Sequence, residues 1–161
     1  MSNKEIERRF LVKTLPPDLH KYRYKKISQS YLHISDNLEI RLRKEISDYG
    51  SASHYLTIKQ GNGKIRQEYQ TALNTFQFDD LWPAISGQTL QKIRYFIPHQ
   101  DVLVVELNCY SQALNNLIIA EVEFKSEEAC DNFVPPSWFG EEVTDRPEYQ
   151  NKHLIMQVGI K

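Results

Sequence analysis

Hydrophobic and polar residues alternate with a period of two along most of the chain, the mark of strands with one apolar and one polar face. Residues Glu5–Val12 read EIERRFLV, with Glu5, Glu7 and Arg9 on one side and Ile6, Phe10 and Val12 on the other. Residues Leu38–Lys44 read LEIRLRK and set Glu39, Arg41 and Arg43 opposite Leu38, Ile40 and Leu42. Similar runs follow at Tyr55–Lys59, Lys64–Leu73, Leu90–Ile97, Val102–Tyr110 and Leu117–Phe124, with a weaker one near Lys26–Leu32. The pattern predicts about eight strands.

Turn signals separate the runs: Asp36-Asn37, Gly61-Asn62-Gly63 and Pro98–Asp101, with a longer flexible loop expected at Asp48–Ser53. Short turns between successive strands imply an antiparallel meander and not βαβ units. Three short helices are expected. One is capped by Asn74 or Thr75 and runs through Trp82, one is capped by Ser126 and runs through Phe133, and a last one spans about Pro147 to Val158. The stretch PPSWFGEEVTD between the last two reads as a connector. The fold class is α+β, mainly β, in one domain over residues 1–161, with a few short flanking helices.

Composition narrows the function. The net charge of −1 gives no global field for nucleic acid or an anionic membrane, and no apolar run approaches the roughly 20 residues that span a bilayer. The opening MSNKEIERRF lacks the apolar segment of a secretory signal, so a cytoplasmic location is expected. Cys109 and Cys130 read as two reduced thiols, and the five histidines have no zinc-ligand spacing.

The charged positions carry the chemistry. The polar faces present Glu5, Glu7 and Arg9, then Arg41 and Arg43, Lys59, Arg66 and Glu68, Lys92 and Arg94, Glu106 with Asn108, and finally Glu121 and Glu123. A single strand with charges two residues apart usually has a solvated face. When the pattern recurs in nearly every strand, one whole side of the sheet is charged. Closing the sheet brings the first and last strands together, so Glu5, Glu7, Glu121 and Glu123 cluster opposite a wall of Arg and Lys. Adjacent carboxylates repel one another unless a cation sits among them, and a hard divalent ion takes such oxygen ligands. Guanidinium and ammonium groups suit a phosphate chain. The small-molecule partner is therefore a polyanion.

At these residues the chain resembles the CYTH superfamily, the triphosphate tunnel metalloenzymes. Glu5-Ile6-Glu7-Arg8-Arg9 matches the family's ExExK hallmark except at its last position. The resemblance continues through Arg41-Leu42-Arg43, Thr57-Ile58-Lys59, Arg66-Gln67-Glu68, Lys92–Tyr95, Glu121–Phe124, Trp138–Thr144 and the Tyr149/Asn151 segment, essentially the whole chain. It is strongest to the short bacterial members that hydrolyse inorganic tripolyphosphate. The resemblance implies a closed eight-stranded antiparallel barrel, a tunnel holding Mg²⁺ or Mn²⁺ on Glu5, Glu7, Glu106, Glu121 and Glu123. Arg41, Arg43, Lys59, Arg66, Lys92 and Arg94 would cradle the triphosphate. It also implies in-line attack of water on a terminal phosphoryl group, one metal orienting the phosphates and a second generating the hydroxide.

Two positions depart from the family pattern. Arg9 stands where relatives have a lysine that pairs with a tyrosine of the second strand, here Tyr31. Arginine keeps the charge but does not readily lose a proton, so an acid–base role for the Arg9/Tyr31 pair loses its basis. Asn108 stands where relatives carry Asp, one metal-site charge fewer. Two further readings stay open: a class IV adenylate cyclase or thiamine triphosphatase, and a nucleotide or polyphosphate binder without turnover. A homodimer is compatible with the sequence. Lys152 reads as a surface lysine of the last helix, Glu141 and Glu142 as solvated, and Trp82 and Trp138 as packing residues outside the tunnel.

Overall fold

The computed structural model describes residues 3–100 and 102–158. Asp101, the end of the expected Pro98–Asp101 turn, and Met1, Ser2 and Gly159–Lys161 lie outside the described residues. The strands are β1 (Lys4–Val12), β2 (Arg23–Ile34), β3 (Leu38–Ser47), β4 (Ala52–Gln60), β5 (Ile65–Leu73), β6 (Leu90–His99), β7 (Leu103–Tyr110), β8 (Ile118–Glu123) and β9 (Phe139–Glu142). The helices are α1 (Thr75–Leu81), α2 (Glu127–Asp131) and α3 (Asn151–Val158).

Strand order is β5-β4-β3-β2-β6-β7-β8-β1, and β1 pairs back onto β5, closing an eight-stranded antiparallel barrel. β1 is the closing element, and it forks. Lys4–Ile6 pair with β5, Phe10 and Val12 pair with β9, and the other edge pairs with β8 from Glu7 to Leu11. Its alternating charges therefore meet the barrel interior, while Ile6 and Phe10 face outward into the apolar core.

The barrel is charged along most of its interior and apolar on its outer surface. The main core lies on its outer surface, where Ile6, Phe10, Val105, Leu107 and Val122 pack under Phe124, Phe133 and Phe139. Trp138 packs against this cluster outside the barrel, as expected. A second cluster of Leu90, Tyr110, Leu114 and Ile119 receives Leu154 and Ile155 of α3. Apolar cover outside is what allows a charged interior: the hydrophobic burial that stabilises the fold is made elsewhere.

The local signals for the helices acted as read. Asn74 and Gln77 form a reciprocal capping box on α1, and the Ser126 hydroxyl accepts from Ala129 N on α2. Gly61 and Gly63 occupy the left-handed region (φ 101° and 73°) in the β4–β5 turn, where glycine is free of the Cβ clash.

Several boundaries differ from expectation. β2 runs from Arg23 to Ile34, because pairing on both edges by β3 and β6 outweighs its weak alternation. β4 begins at Ala52, shortening the expected loop. α3 starts at Asn151, and Pro147–Tyr149 form a separate 3₁₀ turn. The connector contains β9, whose four residues are too few for a period-two signal and are recruited by the free edge of β1. Glu142 is not simply solvated. Arg8 donates to both of its carboxylate oxygens (2.8 and 2.7 Å) and to the carbonyls of Cys130 and Phe133 (3.1 Å each), tying β1 to β9 and α2.

Candidate active site

Strand register decides which charges meet. Across the β1 seams, Glu5 stands opposite Arg66, Glu7 opposite Glu123, and Arg9 opposite Glu121. Glu106 also stands opposite Glu121, Arg94 opposite Asn108, and Lys59 opposite both Glu39 and Glu68. The result is a cavity of about 240 Å³ whose lining is mostly charged. Glu5, Glu7, Arg9, Arg41, Arg43, Lys59, Arg66, Arg94, Glu106, Glu121 and Glu123 all line it, and Lys92 is buried beside it.

The two walls are joined by ion pairs. Arg66 reaches Glu7 (2.6 Å), Glu5 (3.0 Å) and Glu39 (3.4 Å). Lys59 bridges Glu5 (2.6 Å) and Glu68 (2.7 Å). Arg94 holds Glu121 (2.7 Å) and Glu106, and its Nε donates to Asn108 Oδ1 (2.8 Å). Arg9 donates to Glu7 and stands 3.4 Å from Glu121. Against the upward push of burial, Lys59 holds the Glu68 carboxyl down at about 2, and Lys92, Arg94 and Arg9 hold Glu121 well below the usual carboxylate range.

Charge is left over at two places. Among the described residues, Arg41 and Lys92 have no ion-pair partner, and Arg41 Nε, Arg66 Nε and Lys92 Nζ are buried without a hydrogen bond. Burial, and then the like charge of Arg94, drives the proton affinity of Lys92 down. At the solvent end Glu123 has no cationic partner among the described residues, and its carboxyl is pushed up to about 7 by burial and then by Glu5, Glu106 and Glu7. Raised proton affinity in a carboxylate cluster is the response expected where a cation would otherwise compensate the charge. Hard oxygen donors of this kind fit Mg²⁺ or Mn²⁺. Among the described residues no three potential ligands already converge as a metal cluster, because most of these carboxylates are engaged by arginine or lysine.

The expected Arg9–Tyr31 pair is not formed. Arg9 is taken by carboxylates, whose charge attracts a guanidinium more strongly than a neutral phenol does. Tyr31 instead lies opposite Arg41 and accepts from Gln29 Nε2 (3.3 Å), and burial pushes its hydroxyl up to about 12. Another buried tyrosine, Tyr110, donates to Asn151 Oδ1 (2.8 Å), and its ring lies 5.2 Å from Lys92 Nζ.

Lys152 is a correction. It is buried, with 4% exposure, and its ammonium donates to Ser35 O (3.3 Å), Asp36 O (3.1 Å) and Asn62 Oδ1 (3.5 Å), with Glu39 3.9 Å away. It fastens the first turn of α3 to the β2–β3 and β4–β5 turns, so that Gln150 and Asn151 line one end of the cavity. Nothing in its helical neighbourhood announces this. Glu39 and Glu68, which alternation places on the charged faces without a role, line the cavity, and Glu45 extends the row of Arg41 and Arg43 into it. Lys25 is harder to find, since Ile27 interrupts its row.

The chain matches no protein-family profile. It is 40% identical over 156 residues to the inorganic triphosphatase of Nitrosomonas europaea, covering 96% of this chain and 98% of that protein. It is 29% identical over 156 residues to the inorganic triphosphatase of Acetivibrio thermocellus, covering 94% and 93%. Among solved structures, the crystal structure of an inorganic triphosphatase superposes with a TM-score of 0.66 at 38% identity, covering 94% of both chains.

Proposed function

The chain belongs to the inorganic triphosphatase family, and from that premise we propose how its lumen hydrolyses a triphosphate and which residues take part. The observation that carries the reading is the set of buried, unpartnered donors, Arg41 Nε, Arg66 Nε and Lys92 Nζ, in a closed barrel. Such groups are costly to bury unpaired and are matched by a polyanion.

In this reading Arg41, Arg43, Lys59, Arg66, Lys92 and Arg94 hold the phosphate chain. The oxygen of a water molecule attacks the terminal phosphorus, the bridging P–O bond breaks opposite it, and orthophosphate and diphosphate result. Guanidinium groups fixed by the barrel are already oriented toward the charge that develops, so little reorganisation is needed at the moment of reaction. Arg9 acts by charge and position, holding Glu7 and Glu121, and Tyr31 stays protonated beside Arg41. Glu5, Glu106 and Glu123, with Glu7 and Glu121 below them, would hold Mg²⁺ or Mn²⁺. When bound, such an ion screens phosphate charge and lowers the pKa of water.

Phosphate release from tripolyphosphate with Mg²⁺ or Mn²⁺, across neutral to alkaline pH, tests the reading. No release with either metal would sink it. One observation favours an organic triphosphate as a second reading. An apolar cleft of about 550 Å³, lined by Ile6, Phe96, Val102, Val104 and Phe124, opens beside Glu106 and Glu123. Faster turnover of a nucleoside triphosphate than of tripolyphosphate would favour that reading.

A further inference from the structure

Most cations of the lumen are held by carboxylates, and each such pair cancels charge that a phosphate would otherwise meet. Arg43 is held differently. It lines the cavity, is 7% exposed, and its one ion pair among the described residues is with Glu45, two residues along the same strand at 3.4 Å. Glu45 is engaged more closely by Lys25 (2.6 Å). Burial, and then the like charges of Arg41 and Arg94, lower the Arg43 pKa to about 10, so it remains a cation at neutral pH. Such a group turns toward the nearest anion unless something fixes it.

What fixes it is Gln29, the residue opposite it on β2. Gln29 is fully buried. Arg43 Nε donates to its Oε1 (3.2 Å), and its Nε2 donates to the Tyr31 hydroxyl (3.3 Å). A guanidinium N–H only donates and a phenol oxygen can accept, so the partners dictate which way the amide points. On the other edge of β2, Gln29 faces Leu90, whose side chain offers no hydrogen bond. Tyr31 in turn stands opposite Arg41, so one neutral pair on β2 stands opposite two guanidiniums of β3. On β6, Arg94 Nε donates to Asn108 Oδ1 (2.8 Å), again its cross-strand neighbour, but Glu121 and Glu106 hold that arginine as well. Arg43 depends on an uncharged acceptor. Holding a guanidinium by Nε leaves its terminal nitrogens to meet an anion, and a neutral acceptor does so without cancelling the charge.

Resting on the triphosphate reading above, we propose that Gln29 is a positioning residue for triphosphate binding: its amide fixes the Arg43 guanidinium in the lumen without neutralising it. A carboxylate in its place would hold Arg43 more strongly and set a negative charge where phosphate binds. An aliphatic side chain would keep the charge and lose its direction, leaving Arg43 to turn to Glu45. The first change spares the fold and harms binding; the second harms both.

Steady-state kinetics on tripolyphosphate with Mg²⁺, alongside melting temperatures, test this on the full chain. Gln29→Glu melts no lower than the unaltered chain, because the new carboxylate pairs with Arg43 beside Arg41 and Arg94. Its KM for tripolyphosphate nevertheless rises about 10- to 100-fold, the size of one charge-assisted contact. Gln29→Leu lowers kcat/KM by a similar factor. In an Arg43→Met background it lowers kcat/KM no further, since no guanidinium is left to position. An amide that served only the fold would lower kcat/KM equally in both backgrounds. A KM within about twofold of the unaltered chain in Gln29→Glu, or additive losses in the double variant, overturns the proposal and leaves the triphosphate site standing. If Gln29→Leu does not fold, Gln29→Glu decides alone, and a misfolded Gln29→Glu assigns the amide to the fold and overturns the proposal. No phosphate release by the unaltered chain removes the triphosphate reading and the proposal together.

Discussion

Asn108 is fully buried, and its amide works in both directions. Oδ1 accepts from Arg94 Nε (2.8 Å), while Nδ2 donates to the carbonyls of Glu106 and Ile119 (3.2 and 3.4 Å). A carboxylate here would keep the first contact and turn the other two into repulsions between acceptors. Asn108→Asp therefore destabilises the metal-free protein by on the order of 1–3 kcal/mol, seen as a lower denaturation midpoint; an unchanged midpoint contradicts this. Glu123 makes the second residue-scale prediction. Its folded carboxyl is raised from 4.5 to about 7, so between those values the folded state binds more protons than the unfolded one. Stability falls as pH rises through that window. In metal-free buffer the melting temperature of the unaltered chain falls from about pH 5 to about pH 8 more than that of Glu123→Gln, in which this contribution is absent. Parallel profiles would contradict the assignment.

At the scale of elements, α3 is decisive although it is only eight residues long. An isolated helix of that length does not hold itself together in water. Leu154 and Ile155 bury against Leu90, Tyr110 and Ile119, and Lys152 anchors the helix to two strand turns. Its first turn then presents Gln150 and Asn151 to the cavity. Leu154→Ala removes the main apolar anchor, at 2% exposure, and costs about 2–5 kcal/mol in urea denaturation. The loosened first turn also raises KM for tripolyphosphate. Met156→Ala, on the half-exposed side, changes neither quantity. Equal effects from the two substitutions would show that α3 does not position the cavity end.

For the whole molecule, the closed barrel separates stability from chemistry. The outer surface carries the main apolar core, Leu90, Tyr110 and Ile119 form a second one on the inward-facing rows under α3, and the rest of the interior carries opposed charges that β1 brings together by pairing with β5 on one edge and β8 on the other. Because the ligand engages only the closed barrel, it stabilises the fold by mass action. A methylene-bridged tripolyphosphate, which is not hydrolysed, added with Mg²⁺ at about a hundredfold over its Kd adds about 2.7 kcal/mol of stability. A thermal-shift series checks this. No shift at that concentration would contradict binding inside the closed barrel.

The alternation of charged and apolar residues by itself determined eight strands, their antiparallel character and the shared face from Glu5 to Glu123, but not their order: the expected meander is broken where β2 pairs with β6 and β1 with β5 and β8. Those features depend on short-range geometry: side chains two residues apart share a face whatever the rest of the chain does. Capping at Asn74 and Ser126 was legible for the same reason. The partners were not. Whether Arg9 meets Tyr31 or the carboxylates of Glu7 and Glu121 is set by the β1–β8 register, a pairing across more than a hundred residues of chain. β9 exists because the forked β1 leaves an edge open, and Lys152 is buried because two distant turns supply its acceptors. The charges inside the barrel were written in the sequence, but only closure decided which of them neutralise one another and which are left over.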